Sequence, residues 1–346
     1  MSLEISPVRE EDSFDVGTLH KWLSRFIPDL HSPPEVKQFR AGASNLTYLL
    51  VYPDRELILR RPPGGNKAAS AHDMKREFLI QQKLKPVYQY APNVLAICED
   101  HSILGSDFYV MEKIEGTILR RDLPPEIQIT LEQVNRLGQN VISGLVDLHS
   151  VDASILDYLN KGPGYVRRQV EGWSRRYRDA LTDDVPSAEA LMLWLDKNQP
   201  EDVASCVIHG DWRLDNMVLD LTETPRLVGV LDWELATVGD PLMDLGSSLA
   251  YWVDRDDDDS FTALRRQPSN LVGMPTRKEF VEKYLAEMDF SCDDFTFYEV
   301  FGLFRLTVIA QQIWFRYRLG QTTNPSFSQF GSIVNTLIDR ATRLTL

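Results

Sequence analysis

The chain has 346 residues, of which 51 are acidic and 37 are lysine or arginine, so its formal net charge is −14. This length exceeds one comfortable hydrophobic core, and the content of 43% hydrophobic and 25% charged residues is ordinary for a soluble globular protein. The acidic balance argues against broad nucleic-acid binding and favours a neutral or cationic substrate, unless a local basic pocket overrides it.

Other classes of protein are disfavoured by simple features of the sequence. No apolar run is long enough to span a bilayer, so a membrane partner is not expected. Residues 1–15 are acidic and lack an apolar centre, which argues against a secretory signal. Cys98, Cys206 and Cys292 are scattered and form no C-x-x-C pair, which argues against a disulfide framework and a zinc site. These features predict a protein of the reducing cytoplasm.

The first third of the chain predicts a small antiparallel sheet with two helices. Residues 15–26 and 71–84 carry apolar side chains at helical spacing, and Met74, Phe78 and Leu84 are expected to face inward. Short β-branched and aliphatic runs between turn residues predict strands. The predicted strands are residues 36–40, 47–52, 56–61, 94–98 and 108–112.

The loop between the first two strands, residues 41–45, is built of small residues. Gly42, Ala43 and Ser44 would let the backbone approach the phosphates of a nucleotide closely, and Asn45 completes this phosphate-covering loop. The loop lacks a G-x-G-x-x-G pattern, so an ordinary hairpin turn is the competing interpretation.

Beyond residue 113 the pattern turns mostly helical. Ser187 is expected to cap one helix, and His149, at the end of another, is expected to be structural. The acidic run at residues 254–259 is expected to be a solvated loop. The predicted helices are residues 130–148, 165–180, 187–196, 276–288, 295–319 and 327–344, together with one that opens within residues 239–246 and runs through Tyr251.

Two spaced motifs in this region carry polar residues suited to phosphoryl transfer. Residues 209–216 read H-G-D-W-R-L-D-N after a short buried strand, and residues 231–234 read L-D-W-E at the end of a hairpin. The two loops should emerge close together, so Asp211, Asn216 and Asp232 are expected to converge. A carboxylate can accept the proton of an attacking hydroxyl, and hard oxygen ligands hold the magnesium ions that bridge nucleotide phosphates. This order of parts is that of protein kinases.

The motifs also carry a resemblance to a known family. The residues concerned are 42–48, 59–63, 76–77, 108–112, 209–216, 231–234 and 239–241. With them the sequence resembles the aminoglycoside phosphotransferase and choline kinase superfamily over nearly its whole length, and within it the branch that also occurs fused to acyl-CoA dehydrogenases.

The resemblance implies a fold and a reaction class. The fold would be α+β, bilobal and protein-kinase-like, with a small antiparallel-sheet nucleotide-binding lobe over residues 1–112. A larger, mainly helical lobe over residues 113–346 would carry catalysis and substrate binding. ATP and Mg²⁺ would be the cofactors, and a small-molecule hydroxyl would be the phosphate acceptor.

Catalytic roles follow from the same resemblance, position by position. Asp211 would orient and deprotonate the acceptor hydroxyl. Arg213 would stabilise the charge that moves in the transition state, unless it is a solvent-facing loop arginine. Asn216 and Asp232 would bind magnesium.

Nucleotide-binding roles fall on the first part of the chain. Arg60 stands where kinases carry the lysine of V-A-I-K and would hold phosphate, and Glu77 would pair with it. A solvated charge is the competing interpretation of each residue. Met111 and Glu112 lie at the predicted hinge, where adenine would bond to backbone groups. Met111 would either flank the adenine ring or pack in the core.

Two further acidic residues after the second motif are interpreted as supports. Asp240 is expected to bond to the backbone of the catalytic loop, and Asp244 is expected to act as a cap or a brace. Glu234 is a weaker candidate for the metal site.

Several functions stay open at this stage. A protein kinase is disfavoured because only a few residues separate Asp232 from the G-D-P at 239–241, which leaves little room for a long activation loop. A catalytically inactive nucleotide-binding pseudokinase is favoured by the unusual Arg60 and opposed by the presence of Asp211, Asn216 and Asp232.

The acceptor is the main alternative within the kinase interpretation. An aminoglycoside or a choline-like alcohol would need carboxylates, for which residues 254–259 are the sequence support. A 4-hydroxyacyl-CoA would need arginines and aromatic side chains, which residues 167–168, 175–178 and 314–318 could supply. The resemblance favours the acyl-CoA.

Overall fold

The computed structural model describes residues 5–40, 45–63, 73–322 and 324–346. The chain divides into two compact units. The first consists of Met1–Leu119, Pro124–Gln128 and Asn216–Leu235, and the second consists of Arg120–Leu123, Ile129–Asp215 and Ala236–Leu346. The lobe boundary between residues 112 and 113 stays a prediction.

The first unit is organised around a six-stranded antiparallel sheet with the strand order β1-β2-β3-β4-β6-β5. The strands are β1 (Ile5–Pro7), β2 (Glu35–Phe39), β3 (Leu46–Val51), β4 (Glu56–Arg61), β5 (Val94–Cys98) and β6 (Phe108–Glu112). Its helices are α1 (Val16–Leu23), α2 (Met74–Leu84) and α3 (His101–Leu104). Carboxylates cap all three helices, since Asp15, Asp73 and Asp100 each accept a hydrogen bond from the first turn.

Each face of the sheet has its own hydrophobic cluster. One cluster includes Trp22 of α1 and Phe108, and the other includes Met74 and Phe78 of α2. Because side chains alternate along a strand, the neighbours Arg60 and Arg61 of β4 enter different environments. Arg61 donates to the Tyr48 hydroxyl and to the Asp12 carbonyl, while Arg60 faces α2.

A separate hairpin, β8 (Met217–Asp220) with β9 (Arg226–Val230), also belongs to the first unit. Met217 lies opposite Val230, so the residues just outside the hairpin, Asn216 and Leu231, are brought together. The hairpin therefore holds the end of the first motif against the start of the second.

The second unit is mainly helical. It contains α4 (Leu131–His149), α5 (Tyr165–Asp179), α6 (Glu189–Asn198), α7 (Pro241–Leu249), α8 (Asp259–Thr262), α9 (Arg277–Met288), α10 (Thr296–Arg318) and α11 (Phe330–Arg343), with the short strands β7 (Cys206–Ile208) and β10 (Thr237–Gly239) paired antiparallel. Within the described parts of the chain, no helix combines the length and the apolar character that a membrane crossing requires.

The helices α7 and α10 cross at two glycines. A Cβ atom on Gly302 would overlap the Gly246 carbonyl, and one on Gly246 would overlap the Tyr298 carbonyl. The two backbones can approach this closely only because neither residue has a side chain. The crossing fixes the position of Arg305, one turn after Gly302.

The sheet and the helical unit confirm the α+β class. The strands 56–61, 94–98 and 108–112 agree with prediction residue for residue. The short elements β1 and α3 were not anticipated. The predicted helix over residues 327–344 is wrong at its start, because a 3₁₀ turn, Pro325–Gln329, precedes α11.

Two other predictions for the second unit need correction. The helix α6 begins at Glu189 after Ala188, without a side-chain cap, so Ser187 does not cap it as expected, although its hydroxyl accepts a bond from the Glu189 amide. The acidic run is not simply solvated. The side chain of Asp257 is only 6% exposed and forms ion pairs with Arg277 at 2.6 Å and Arg340 at 2.7 Å.

Candidate active site

Arg60 is bound by two carboxylates in the first unit. Its Nη1 lies 2.8 Å from Glu77 Oε1, and its Nη2 lies 3.0 Å from Asp232 Oδ1. The Glu77 side chain is 1% exposed, while the Asp232 side chain is 32% exposed. The ion pair between Arg60 and Glu77 that the sequence suggested is thus present, and Arg60 is not the solvated strand-end charge of the competing interpretation.

The charges of this cluster are interdependent. Burial alone would lower the pKa of Arg60, but Glu77, Tyr109 and Asp232 outweigh it and hold the pKa well above its usual value. The guanidinium therefore stays charged. The Glu77 carboxylate is almost fully shielded from solvent, so the pair depends on both members.

Asn216 and Asp232 are brought together by the hairpin, as their predicted role requires. The Leu231 amide donates to the Asn216 carbonyl over 2.8 Å, and Asp232 follows directly. Asp232 adopts a left-handed conformation with a φ of 65°, which aspartate tolerates better than most residues. Trp233, whose Nε1 donates to the Val230 carbonyl at 2.8 Å, is fully buried and anchors the turn.

The donor chemistry of this pair fits a hard cation. A carboxylate and an amide oxygen are ligands that Mg²⁺ accepts, and magnesium is usually held by one or two protein oxygens together with phosphate and water. The Asp232 carboxylate already binds a positive group, the Arg60 guanidinium. The residues present are therefore compatible with the implied metal.

The end of the predicted phosphate loop is also tied to the second motif. Asn45 Nδ2 donates to Glu234 Oε2 over 3.1 Å, and Arg76 Nη1 donates to the Glu234 carbonyl over 2.6 Å. Asn45 is buried. Ser44, the other predicted residue of this loop, lies outside the described residues. These contacts give Glu234 a structural role in joining the loop, α2 and the metal motif.

The two hinge residues occupy the end of β6. Met111 is 6% exposed and packs in the cluster of Phe78 and Tyr109, which favours the core-packing interpretation of its side chain. Glu112 is exposed, and its amide donates to the Asn93 carbonyl over 2.9 Å. Their proposed contact with adenine stays a prediction.

Asp211 lies in the predicted catalytic loop, which several hydrogen bonds hold in place within the second unit. The loop follows β7, and Gly210 has a φ of 80°, a left-handed conformation that favours glycine. Trp212 Nε1 donates to the Val141 carbonyl over 3.2 Å, and the Leu214 amide donates to Gln267 Oε1 over 2.8 Å. Side chains on both sides of Asp211 thus fix the loop.

Asp244 of α7 is the main support of this loop. Its carboxylate accepts hydrogen bonds from the His209 amide at 3.0 Å and from the Gly210 amide at 2.9 Å. Its Oδ2 also lies 3.2 Å from His149 Nε2, and His149 Nδ1 lies 2.5 Å from the Tyr284 hydroxyl. His149 is buried, so its expected structural role agrees with its surroundings.

The role expected for Asp240 is wrong, whereas Asp244 acts as a brace. Asp240 caps α7 through the Met243 amide and accepts a bond from the Val203 amide, so it does not bond to the predicted catalytic loop. Asp244, expected to cap or brace, holds that loop through the His209 and Gly210 amides. The reason is geometric: Asp240 sits at the N-cap, where its side chain faces the first turn, and Asp244 lies one turn later on the face toward β7.

Arg213 lies between two carboxylates. Its Nε lies 3.1 Å from Asp211 Oδ1, and its Nη2 lies 3.3 Å from Asp215 Oδ2. Its guanidinium carbon stands 4.5 Å from the centre of the Tyr251 ring, a cation–π arrangement. The side chain is 20% exposed, so Arg213 is not the solvated loop arginine of the competing interpretation. Burial raises the pKa of Asp215, although Arg213 opposes the shift.

Sequence reasoning missed Arg305 and Tyr251 as neighbours of the site. Arg305 Nη2 donates to the Gly210 carbonyl over 2.6 Å, directly before Asp211. A usable signal was present, since residues 300–308 read V-F-G-L-F-R-L-T-V, and a single arginine in so apolar a helix needs a buried partner.

Comparisons with known proteins place these residues in a family. Residues 35–280 match the model of the phosphotransferase enzyme family, APH. Acyl-CoA dehydrogenase family member 10 from Mus musculus is 35% identical over 344 residues, which are 97% of this chain and 31% of that protein. The chain therefore spans about a third of the length of this relative.

Comparison with solved structures shows similar folds. The crystal structure of a candidate aminoglycoside phosphotransferase from Ralstonia eutropha superposes with a TM-score of 0.81 at 27% identity, covering 96% of this chain and 98% of the other. A thermostable mutant of the aminoglycoside phosphotransferase APH(4)-Ia, in a ternary complex with AMP-PNP and hygromycin B, gives a TM-score of 0.58 at 16% identity, covering 94% and 98%. The latter likeness concerns the fold alone.

These matches confirm the protein-kinase-like fold and the resemblance to the branch found with acyl-CoA dehydrogenases. The chain belongs to the phosphotransferase enzyme family.

Proposed function

We propose that the chain transfers the γ-phosphate of ATP, with Mg²⁺, to the hydroxyl of a small molecule, and that this acceptor is a 4-hydroxyacyl-CoA. The observation that carries the nucleotide part is the ion pair of Arg60 with Glu77 beside Asp232. It is the equivalent of the lysine–glutamate pair that active kinases need. An inactive pseudokinase has no chemical need for this charged arrangement.

On the nucleotide side, Arg60 would bind phosphate oxygens, and Asn216 and Asp232 would hold magnesium. Magnesium, when bound, neutralises the charge that develops on the phosphate oxygens. Arg60 is an arginine where kinases use lysine, and its planar fork can bind two oxygens at once. Support for nucleotide use comes from the AMP-PNP that the APH(4)-Ia structure contains.

On the acceptor side, Asp211 takes the proton of the attacking hydroxyl. The O–H bond breaks as the oxygen forms its bond to the γ-phosphorus, and ADP leaves with the electrons of the broken P–O bond. Arg213, held near Asp211 by Asp215 and Tyr251, stabilises the transferred charge. The backbone bonds from Asp244 keep the loop in place for this step.

The acyl-CoA acceptor is supported by the relative that is an acyl-CoA dehydrogenase family member. A chemical argument points the same way. A polycationic aminoglycoside would need free carboxylates, and its sequence support was the acidic run. Asp257 in that run is neutralised by Arg277 and Arg340, and Asp258 lies 3.6 Å from Arg343.

The test is a phosphate-transfer screen with γ-labelled ATP. Purified protein is incubated with 4-hydroxyvaleryl-CoA, kanamycin and choline in parallel, with and without Mg²⁺. We expect label to appear on 4-hydroxyvaleryl-CoA only when Mg²⁺ is present. Transfer to kanamycin without any transfer to the acyl-CoA would assign the aminoglycoside alternative. Absence of transfer to every acceptor, with intact Mg-ATP binding, would favour the pseudokinase.

A further inference from the structure

Two arginines from different helices of the second unit share one aromatic ring. The guanidinium carbon of Arg176 on α5 lies 4.5 Å from the centre of the Trp173 ring, and that of Arg305 on α10 lies 5.2 Å from the same centre. Both cations therefore lie against the indole of Trp173. Two like charges in one place repel each other, so a folded protein needs a reason to keep them there.

Neither arginine has a carboxylate partner. Among the residues that the structure describes, Arg176 and Arg305 form no ion pair, whereas Arg178 on the same helix pairs with Glu189 at 2.7 Å. Burial lowers the pKa of Arg176, and the neighbouring Arg175 and Arg305 lower it further. The cluster thus carries an uncompensated positive charge within an acidic protein.

Arg305 is the more constrained of the two. It is 8% exposed, and its one hydrogen bond to a described residue is the 2.6 Å bond from Nη2 to the Gly210 carbonyl. A guanidinium has five N–H groups, so most of its donors have no acceptor among the described residues. A buried charge that lacks a counter-ion is costly, and an anion that bound here would offset that cost.

The cluster has a defined place beside the catalytic loop. The bond from Arg305 ends on Gly210, the residue before Asp211. The glycine crossing of α7 and α10 sets the height of Arg305 on its helix, and Asp244 of α7 holds the amide of the same Gly210. The cationic cluster is therefore fixed relative to Asp211.

We infer that Trp173, Arg176 and Arg305 form an anion-binding subsite for the phosphate acceptor. The subsite takes an oxyanion that the acceptor carries in addition to its hydroxyl, and Trp173 provides a flat apolar surface beside it. The inference rests on the proposed function and deepens it, because it selects anionic acceptors and rejects polycationic ones.

Two chemical groups could supply the oxyanion, each in a different form of the acceptor. One is the carboxylate of a free hydroxy acid, a few bonds away from the hydroxyl. The other is a phosphate of coenzyme A, whose adenine could also stack on Trp173. The chemistry that Arg176 and Arg305 recognise is the same in both cases, a planar or tetrahedral group of charged oxygens.

The test is calorimetric binding to the full chain. The probes are coenzyme A and 4-hydroxyvalerate, titrated into the parent protein, Arg176→Gln, Arg305→Lys and the control Arg178→Gln. Arg178 lies on the same helix, and its ion pair with Glu189 removes it from the arginines that the sequence offered for binding the acceptor. We expect Arg176→Gln to raise the Kd by roughly 10-fold or more, since bonds to charged groups are among the strong ones. Arg178→Gln should bind as the parent does.

The two probes distinguish the possible sources of the oxyanion. Binding of coenzyme A alone identifies a phosphate as the oxyanion, and binding of 4-hydroxyvalerate alone identifies a carboxylate. The inference is overturned if the parent binds neither probe, or if Arg176→Gln binds as tightly as Arg178→Gln. If Arg305→Lys strongly lowers the melting temperature, the comparison of Arg176→Gln with Arg178→Gln decides, because Arg176 is exposed and its replacement should not disturb the fold.

The experiment also separates this inference from the proposed function. Anion binding that depends on Arg176, without phosphate transfer to any acceptor, would reject the kinase proposal and keep the subsite. Phosphate transfer with an acceptor KM that Arg176→Gln leaves unchanged would keep the kinase and reject the subsite.

Discussion

Nη2 of Arg60 lies 3.0 Å from Oδ1 of Asp232, so the residue proposed to grip phosphate is bound to the residue proposed to hold magnesium. The same guanidinium also pairs with the buried Glu77. Arg60 thus neutralises two carboxylates. If Mg-ATP binds as proposed, Asp232 would contact the metal and Arg60 would contact phosphate oxygens. These two contacts would replace the ion pair between Arg60 and Asp232.

Replacing Arg60 should affect both stability and nucleotide use. Arg60→Ala leaves Glu77 buried without its partner, which costs about 3–5 kcal/mol in comparable pairs. The free energy of unfolding from urea titration should fall accordingly, and the KM for ATP should rise. The double variant Arg60→Met with Glu77→Leu should recover stability without recovering turnover. An unchanged KM in Arg60→Ala would mean that another residue binds the phosphates.

The proposed metal ligands differ in charge, and this difference can be measured. Asp232→Ala should remove the tightening of ATP binding by Mg²⁺, because a carboxylate ligand of a hard cation is lost. Asn216→Ala should weaken it less, since an amide oxygen carries no net charge. Calorimetry with ATP at saturating Mg²⁺ compares the two. Equal affinity of Asp232→Ala and the parent for Mg-ATP would remove Asp232 from the metal site.

Asp211→Asn should lower turnover without preventing nucleotide binding. The amide cannot accept the hydroxyl proton, and loss of a general base costs roughly 10²–10⁴-fold in rate. The measurement is kcat with the best acceptor from the transfer screen, beside the Kd for Mg-ATP. Asp196→Asn, an exposed change on α6, is the control. Turnover of Asp211→Asn at the level of this control would reject the assignment.

One contact of the candidate site could be predicted from the sequence, and another could not. The resemblance to kinases implied that Arg60 pairs with Glu77, and this ion pair is present. Which of Asp240 and Asp244 bonds to the catalytic loop could not be predicted. Both lie at the start of one helix, and the choice depends on how α7 packs against β7.

Contacts between residues that are far apart in the sequence could not be predicted. Arg305 is 95 residues from its hydrogen-bond partner Gly210, and Asp257 is 83 residues from Arg340. No local pattern reports such partners. A buried arginine in an apolar helix or a run of aspartates signals only that a partner is required, and the packing of helices decides which residue supplies it.

The hydroxyl of Tyr52 provides a test of stability in the first unit. Tyr52 is buried, and its hydroxyl has no hydrogen-bond partner among the described residues. Burial raises the pKa of Tyr52 to about 12. Tyr52→Phe removes a polar group that is buried without compensation, so we expect a gain of about 1–2 kcal/mol in the free energy of unfolding.

Tyr48 on β3 is the matched control for this change. Its hydroxyl donates to the Asp12 carbonyl over 2.9 Å and accepts from Arg61 Nη2 over 2.9 Å. Tyr48→Phe should therefore lower the free energy of unfolding by about 1–3 kcal/mol, because Arg61 and Asp12 lose a buried partner. Urea unfolding of both variants should give effects of opposite sign. A loss of stability in Tyr52→Phe would show that its hydroxyl has a partner.

Asp244 should make the stability of the second unit sensitive to acid. Burial alone would raise its pKa, but hydrogen bonding by His149 and the His209 amide outweighs burial and holds the pKa below its ordinary value of 3.8. A carboxyl whose folded pKa is lowered stabilises the fold above its unfolded pKa, and this stability is lost as the pH falls through the folded pKa. Asp244→Asn should therefore be less stable than the parent at neutral pH, and the difference should narrow below about pH 4.

Asp215 is the control, because its pKa is shifted in the opposite direction to that of Asp244. Burial raises its pKa above 3.8, so its ionised form is disfavoured in the folded chain and stability is lost as the pH rises through this range. Asp215→Asn removes this loss. Relative to the parent, its free energy of unfolding should therefore rise as the pH increases from about 3 toward 6, whereas that of Asp244→Asn should fall. Urea unfolding at a series of pH values measures both differences. If the difference between Asp244→Asn and the parent stayed constant from neutral pH to pH 3, the carboxylate of Asp244 would not be the group whose protonation weakens the loop.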